Sequence, residues 1–209
     1  MKRIRFLFFA LLLCVAPLAC SAARPAEAQD ADATAAPAAT AEAVTVEPTA
    51  TAVLAASTEF AVTSEGISNG VLGEAYGAHG DQKTRGIPSR SFPLAFANAP
   101  EGTACFALSV IDPDGGNWVH WLAVNLPVQN LAENTSIDLA ESLIQGKNDF
   151  GQIGYGGPTP PSGTHTYVIT VYALSALVSL ENGFSLKQFN AAIENNVLAS
   201  AELTGDYTK

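Results

Sequence analysis

The sequence predicts an all-β domain, a sandwich of strands with small peripheral helices, placed behind an export leader. Three observations carry this. From about Phe60, glycine, aromatic and β-branched residues fall in short runs divided by turn residues. Three of those runs have the length and composition of strands. Helical periodicity is confined to one clear stretch near the end of the chain.

The chain has 209 residues, room for one ordinary domain plus extras. Residues 1–5, MKRIR, are basic, and residues 6–19, FLFFALLLCVAPLA, are apolar. A charged start before an apolar run too short to span a bilayer reads as a secretory signal. The expectation is a signal peptide over 1–23 and export to a bacterial cell envelope, periplasm or medium. Leu18-Ala19-Cys20 resembles the end of a bacterial lipobox, which would lipidate Cys20, although Pro17 stands where that motif usually has leucine. Cleavage after Ser21-Ala22-Ala23 or Ala26-Glu27-Ala28 also satisfies the small-x-small rule. Anchor and free release both stay open. Residues 24–57 are almost entirely Ala, Thr, Pro, Glu, Asp and Val. They lack the apolar bulk to offset chain entropy, so they read as a disordered linker, with a folded domain over 58–209.

Within that domain Cys105–Ile111 is a continuous apolar run ended by the turn signal Asp112-Pro113-Asp114-Gly115-Gly116. Trp118–Leu126 is a second strand. Strict alternation puts Trp118, His120, Leu122 and Val124 on one face and Val119, Trp121, Ala123 and Asn125 on the other. Thr166–Leu174 is a third. Ser185 and Gln188 have capping-box spacing, and Leu186, Phe189 and Ile193 share a face, so a helix runs to about Asn195. A second short helix is expected near Ile137–Gln145.

The formal net charge is −10, and loss of Lys2, Arg3 and Arg5 with the leader would make it −13. Such a chain repels phosphate backbones, which excludes nucleic acid as a natural partner, and it does not dock on anionic lipid by charge alone. Cys105 is the one cysteine outside the leader, in an apolar run that suggests a buried, inert thiol.

The chemistry concentrates in few residues. Asp112 ends one strand, His120 lies early in the next, and His165 begins the third. If these strands are neighbours, one carboxylate and two imidazoles meet at one end of a sheet. The Gly/Pro-rich stretch from Gly154 to Gly163 gives a stiff wall beside them. His79 sits in a polar loop and reads as solvated. Trp118 and Trp121 read as core, with either edge able to line a pocket.

Asp112-Pro113-Asp114, His120-Trp121 with Asn125-Leu126-Pro127, Gly154-Tyr155-Gly156-Gly157-Pro158 with Pro160-Pro161, and Gly163-Thr164-His165-Thr166-Tyr167 ending in Tyr172-Ala173-Leu174 recur in that order. Together they resemble the phosphatidylethanolamine-binding protein family, in its bacterial Raf-kinase-inhibitor-like branch, over roughly residues 60–207. The resemblance implies a Greek-key β-sandwich with a small anion pocket that accepts phosphate-type headgroups and needs no metal or other cofactor. By motif its walls would be Asp112, Asp114, His120, Gly156, Gly157, Pro158, His165 and Tyr167, with no catalytic residue. Two segments depart from the family pattern. Gly115-Gly116 replaces the usual Ala-Pro after Asp-Pro-Asp, and Gly86–Phe96 lacks the usual Asn and has Phe96 for Trp.

An Asp beside an imidazole favours its protonated form. Protonated His120 and His165, with amides from the glycine loop, would then hold an anion, more tightly near pH 6 than near pH 8. One rival reading is an interaction module that inhibits a kinase or protease through its surface. A metal-dependent hydrolase built on one carboxylate and two histidines ranks below it, because no tight ligand spacing is present. A nucleophilic enzyme ranks lower again: there is no Gly-x-Ser-x-Gly elbow, and Cys105 is not at a turn.

Overall fold

The computed structural model describes residues 58–209. The signal peptide, Cys20 and the linker lie outside the described residues. Strands run in the order β1 (Ala61–Thr63), β2 (Ile67–Ser68), β3 (Val71–Leu72), β4 (Lys83–Thr84), β5 (Ile87–Pro88), β6 (Ala95–Ala97), β7 (Cys105–Asp112) and β8 (Trp118–Leu126). A single-turn helix α1 (Thr135–Asp138) follows, then β9 (Ile144–Gln145), β10 (Thr164–Leu174), helix α2 (Leu186–Ile193) and β11 (Val197–Thr208). One seven-stranded sheet has the order β2-β3-β11-β10-β7-β8-β9, and β1-β6 and β4-β5 form small two-stranded sheets. The molecule is an all-β sandwich whose two layers are unequal.

Both faces of the main sheet are buried, as the two-sided apolar patterns of β7 and β8 require. On one face Phe106, Leu108 and Val110 of β7, Trp121 and Ala123 of β8, and Tyr167, Ile169 and Val171 of β10 pack under Phe92, Leu94, Tyr155 and the β1 strand. On the other, Cys105, Ala107, Leu122 and Val124 pack under Phe184 and α2, through Phe189 and Ile193. Phe189 is fully buried, and burying such a ring contributes about 1.5–3 kcal/mol. The capping box that starts α2 is present: Ser185 Oγ accepts from Gln188 N–H, and the Gln188 side chain accepts from Ser185 N–H at 3.0 Å.

Three expectations change. The helix expected over Ile137–Gln145 is one turn, Thr135–Asp138, and its end is strand β9, where Ile144 pairs with Val124 and Gln145 with Ala123. The third strand starts at Thr164, two residues early, because it stays paired with β11 from Thr164–Thr208 onward. The strict alternation along β8 fails, because Ile111 faces Val119 while Val110 faces Trp121, which leaves His120 as an extra residue in the ladder. Val119 consequently packs with Leu122 and Val124, not with Trp121.

Candidate functional site

The β7–β10–β8 arrangement brings the C-terminal end of β7 beside the N-terminal ends of β8 and β10. Asp112, His120 and His165 therefore meet at one end of the sheet, around a cavity of about 480 Å³. The bulge decides which way His120 faces. A β-bulge re-aims the residue it inserts, and here the His120 ring stands nearly perpendicular to Tyr167 at 5.0 Å between centroids, on the Tyr167 side of the sheet.

Each imidazole is anchored through Nδ1. That of His120 lies 2.6 Å from the carbonyl oxygen of Gly156. A carbonyl only accepts, so Nδ1 carries the hydrogen. That of His165 lies 2.8 Å from Oδ2 of Asp112, whose Oδ1 accepts from the Gly115 amide at 2.8 Å. Each Nε2 has no protein partner among the described residues and is the nitrogen left for the cavity. Burial is the main cause that pushes the His120 pKa down, outweighing the Gly156 bond and the Asp112 and Asp149 charges that push it up. His120 is thus the neutral tautomer protonated on Nδ1. The expected carboxylate–imidazole hydrogen bond is present at His165 alone, and burial works against a second proton on His120.

The glycine loop also takes a different part. The Gly156 amide donates to the His120 carbonyl at 2.9 Å and the Gly157 amide to Pro88 at 2.8 Å, while the Pro158 carbonyl accepts from Ala78. These amides are committed, so Gly156, Gly157 and Pro158 form no anion nest and stand behind the cavity. A Cβ on Gly156 would come within 2.6 Å of the Phe150 ring, so glycine is what lets the loop pass. Thr159, Pro160 and Pro161 supply the wall that faces the cavity.

Tyr167 lines the floor. Its hydroxyl is buried and makes no well-formed hydrogen bond among the described residues, although the Asp112 carboxylate lies close enough to act on it as an acceptor. Burial is the first cause that raises its pKa, and the Asp112 carboxylate raises it further. Asp114 reaches the rim, where Oδ2 accepts from the Thr166 amide at 2.9 Å. The Gly115-Gly116 departure leaves Asp114 tied to β10. At Gly115 a Cβ would press within 2.8 Å of Asp112 Oδ2.

Two aromatic residues close the remaining side. Trp118, read from the sequence as core, is 38 % exposed and lines the cavity, whereas Trp121 is fully buried and donates Nε1–H to Gln145. Phe150 packs edge-on to both Trp118 and His120. Sequence reading missed it. The only local signal is Asp149, whose Oδ2 accepts from Val119 N–H at 2.7 Å and whose own amide donates to Val119 O, seating Phe150 beside β8. Cys105 lies in the opposite cluster, its thiol buried and its pKa raised by that burial. Among the described residues no three His, Cys, Asp or Glu side chains converge to hold a metal ion.

With this fold and site the chain joins a known class. The profile of the family described as phosphatidylethanolamine-binding protein matches residues 62–208, and the chain belongs to that family. YxkA of Bacillus subtilis is 34% identical over 156 residues, 65% of this chain and 93% of that protein. A UPF0098 protein of Chlamydia trachomatis is 38% identical over 126 residues, 56% of this chain and 81% of that one. Two crystal structures share the fold. The putative family homolog CT736 of Chlamydia trachomatis has a TM-score of 0.63 at 36% identity, covering 73% of this chain and 99% of its own. YbcL of E. coli has 0.63 at 32% identity, covering 72% and 99%.

Proposed function

We propose that this protein is an exported binding protein without catalytic turnover. Its Asp112/His120/His165/Tyr167 cavity holds a small phosphate-type anion, either inorganic phosphate or the phosphorylated headgroup of a larger ligand. The observation that carries the reading is a pair of imidazoles that each leave Nε2 to the cavity, beside a buried Tyr167 hydroxyl whose neighbouring carboxylate, Asp112, is already engaged by Gly115 and His165. A buried hydroxyl without a well-formed bond costs about 1–3 kcal/mol unless a ligand accepts from it. An anion's oxygen meets that need. His165 holds Asp112 through Nδ1 and donates a second bond from Nε2 only when that nitrogen also carries a proton. Neutral His120 offers a lone pair instead, so it accepts from a protonated ligand oxygen. The bound species is then a hydrogen phosphate with a proton of its own, and complex formation is proton-linked wherever His165 must gain the Nε2 proton that it donates. Against turnover, Thr159 directs its hydroxyl to the Gly157 carbonyl at 3.2 Å, and Cys105 lies in the opposite core cluster.

Titration calorimetry with inorganic phosphate, run in two buffers of different ionisation heat, tests this. The expected result is net proton uptake on binding and at least about tenfold tighter binding near pH 6 than near pH 8. Binding without proton uptake, or none at all, contradicts the reading. A protein partner engaged through the outer surface would still bind a variant carrying His120→Ala and His165→Ala, and pull-down with that variant separates the two.

Export rests on the leader pattern, and the lipid anchor on Leu18-Ala19-Cys20. Metabolic labelling with a fatty acid is expected to tag the wild type and to lose the tag in Cys20→Ala. An unlabelled wild type removes the anchor from the account.

A further inference from the structure

We infer that Asn69-Gly70 is a site of spontaneous covalent change, where the asparagine converts through a cyclic imide to aspartate and isoaspartate. The backbone nitrogen of Gly70 attacks Cγ of Asn69. A carbon–nitrogen bond forms, the bond to the side-chain amide nitrogen breaks, and ammonia leaves with the proton from Gly70 N–H. Water then opens the imide at either carbonyl. One opening gives aspartate. The other gives isoaspartate, with an extra methylene in the backbone. No oxidant or reductant is involved.

The chain contains two Asn-Gly pairs, at Asn69-Gly70 and Asn182-Gly183, so the chemistry of the sequence is the same at both. The structure separates them. Asn182 Oδ1 accepts from the Gln145 amide at 2.8 Å, and the Gly183 amide donates to the Gln145 carbonyl at 2.8 Å. Electrophile and nucleophile are both held against the edge strand β9, and attack there must break two hydrogen bonds. Asn69 and Gly70 are the two exposed residues of the β2–β3 hairpin turn, with φ of 50° and 79°. Positive φ at both positions is the signature of the two-residue turns that favour Asn-Gly. Neither the Asn69 side chain nor the Gly70 amide makes a hydrogen bond among the described residues. No atom lies within 4 Å of where a Gly70 Cβ would stand, so the approach is open.

One restraint remains. The Gly70 carbonyl accepts from the Asp206 amide at 2.8 Å. Attack also requires Asn69 to rotate out of its turn conformation. The hairpin opposes that weakly, because β2 and β3 are two residues each and β3 pairs with β11 at a single position. Short elements at a sheet edge open with low free energy.

The experiment follows the whole protein on ageing in mildly alkaline buffer, with peptide mapping by mass spectrometry and an isoaspartate assay. Folded protein is expected to convert Asn69 at least about tenfold faster than Asn182, the ratio that two held hydrogen bonds produce. In denaturant the two sites are expected to convert at similar rates, because only the fold distinguishes them. Asn182 keeping pace with Asn69 in the folded protein overturns the inference. So does an Asn69 that stays intact over the time in which the denatured chain converts.

Discussion

Tyr167 and His120 show how single atoms separate stability from binding. The Tyr167 hydroxyl is buried without a well-formed hydrogen bond, beside an Asp112 carboxylate already held by Gly115 and His165, while the ring packs in the main core. Tyr167→Phe is therefore expected to leave stability unchanged or raise it by up to about 1 kcal/mol. The same change is expected to weaken phosphate binding about tenfold. Thermal unfolding and calorimetry on one variant read both, and parallel losses would mean the hydroxyl serves the fold. For His120 the sign of the pH effect follows from burial. An unfolded imidazole takes up a proton near about pH 6.5, whereas the folded one does so only at lower pH. As pH falls below that value the unfolded chain binds more protons, so stability is lost. Above it the group contributes no slope. The melting temperature is expected to drop from about pH 6.5 downward, and His120→Asn, which keeps a donor near the Gly156 carbonyl, is expected to flatten that slope. A variant with the full wild-type slope would place the titration elsewhere.

At the scale of elements, the site depends on one bulge and one loop. Asp112, His120 and His165 were legible in the sequence, because polar residues beside turn signals stand out against β-rich runs, whereas Tyr167 entered only through the family resemblance. The direction of His120 was not, since a bulge breaks the period-two rule and leaves no composition signal. Strand β11 was also missed. Its sequence, VLASAELTGDYT, is poor in β-branched residues and half of its residues are exposed, so it has little apolar alternation to read. It is a strand because β10 pairs with it along its whole length. The loop that carries Phe150 depends on Asn148, which is 2 % exposed. Asn148 donates to the Gly154 carbonyl at 2.9 Å and accepts from Gln152 N–H at 3.0 Å. Asn148→Ala strands the buried Gly154 carbonyl and the half-buried Gln152 amide and is expected to cost about 1–3 kcal/mol. It is also expected to weaken ligand binding as Phe150 leaves the wall. Denaturant unfolding gives the first number, and a loss below about 0.5 kcal/mol would show that the loop is held by other contacts.

The whole molecule is an acidic chain with its pocket at one end of a sheet buried on both faces. Its net charge of −10 disfavours anions at long range, so an anion pocket must act through short-range donors in a partly closed cavity. That accounts for the carboxylates there being engaged: Asp112 by Gly115 and His165, Asp114 by Thr166. The fold class was legible because β7, β8 and β10 are long apolar or β-branched runs divided by turn residues, and the small sheets were not, because β1, β4, β5 and β6 are two or three residues each. In the proposed complex the two Nε2 atoms and the Tyr167 hydroxyl share one anion. Imidazole-proton NMR during titration of the full protein with inorganic phosphate addresses it most directly. The account predicts saturable shifts of the His120 and His165 ring signals at a common midpoint, with His120 remaining singly protonated on Nδ1. Saturable binding that leaves both rings unmoved would contradict it.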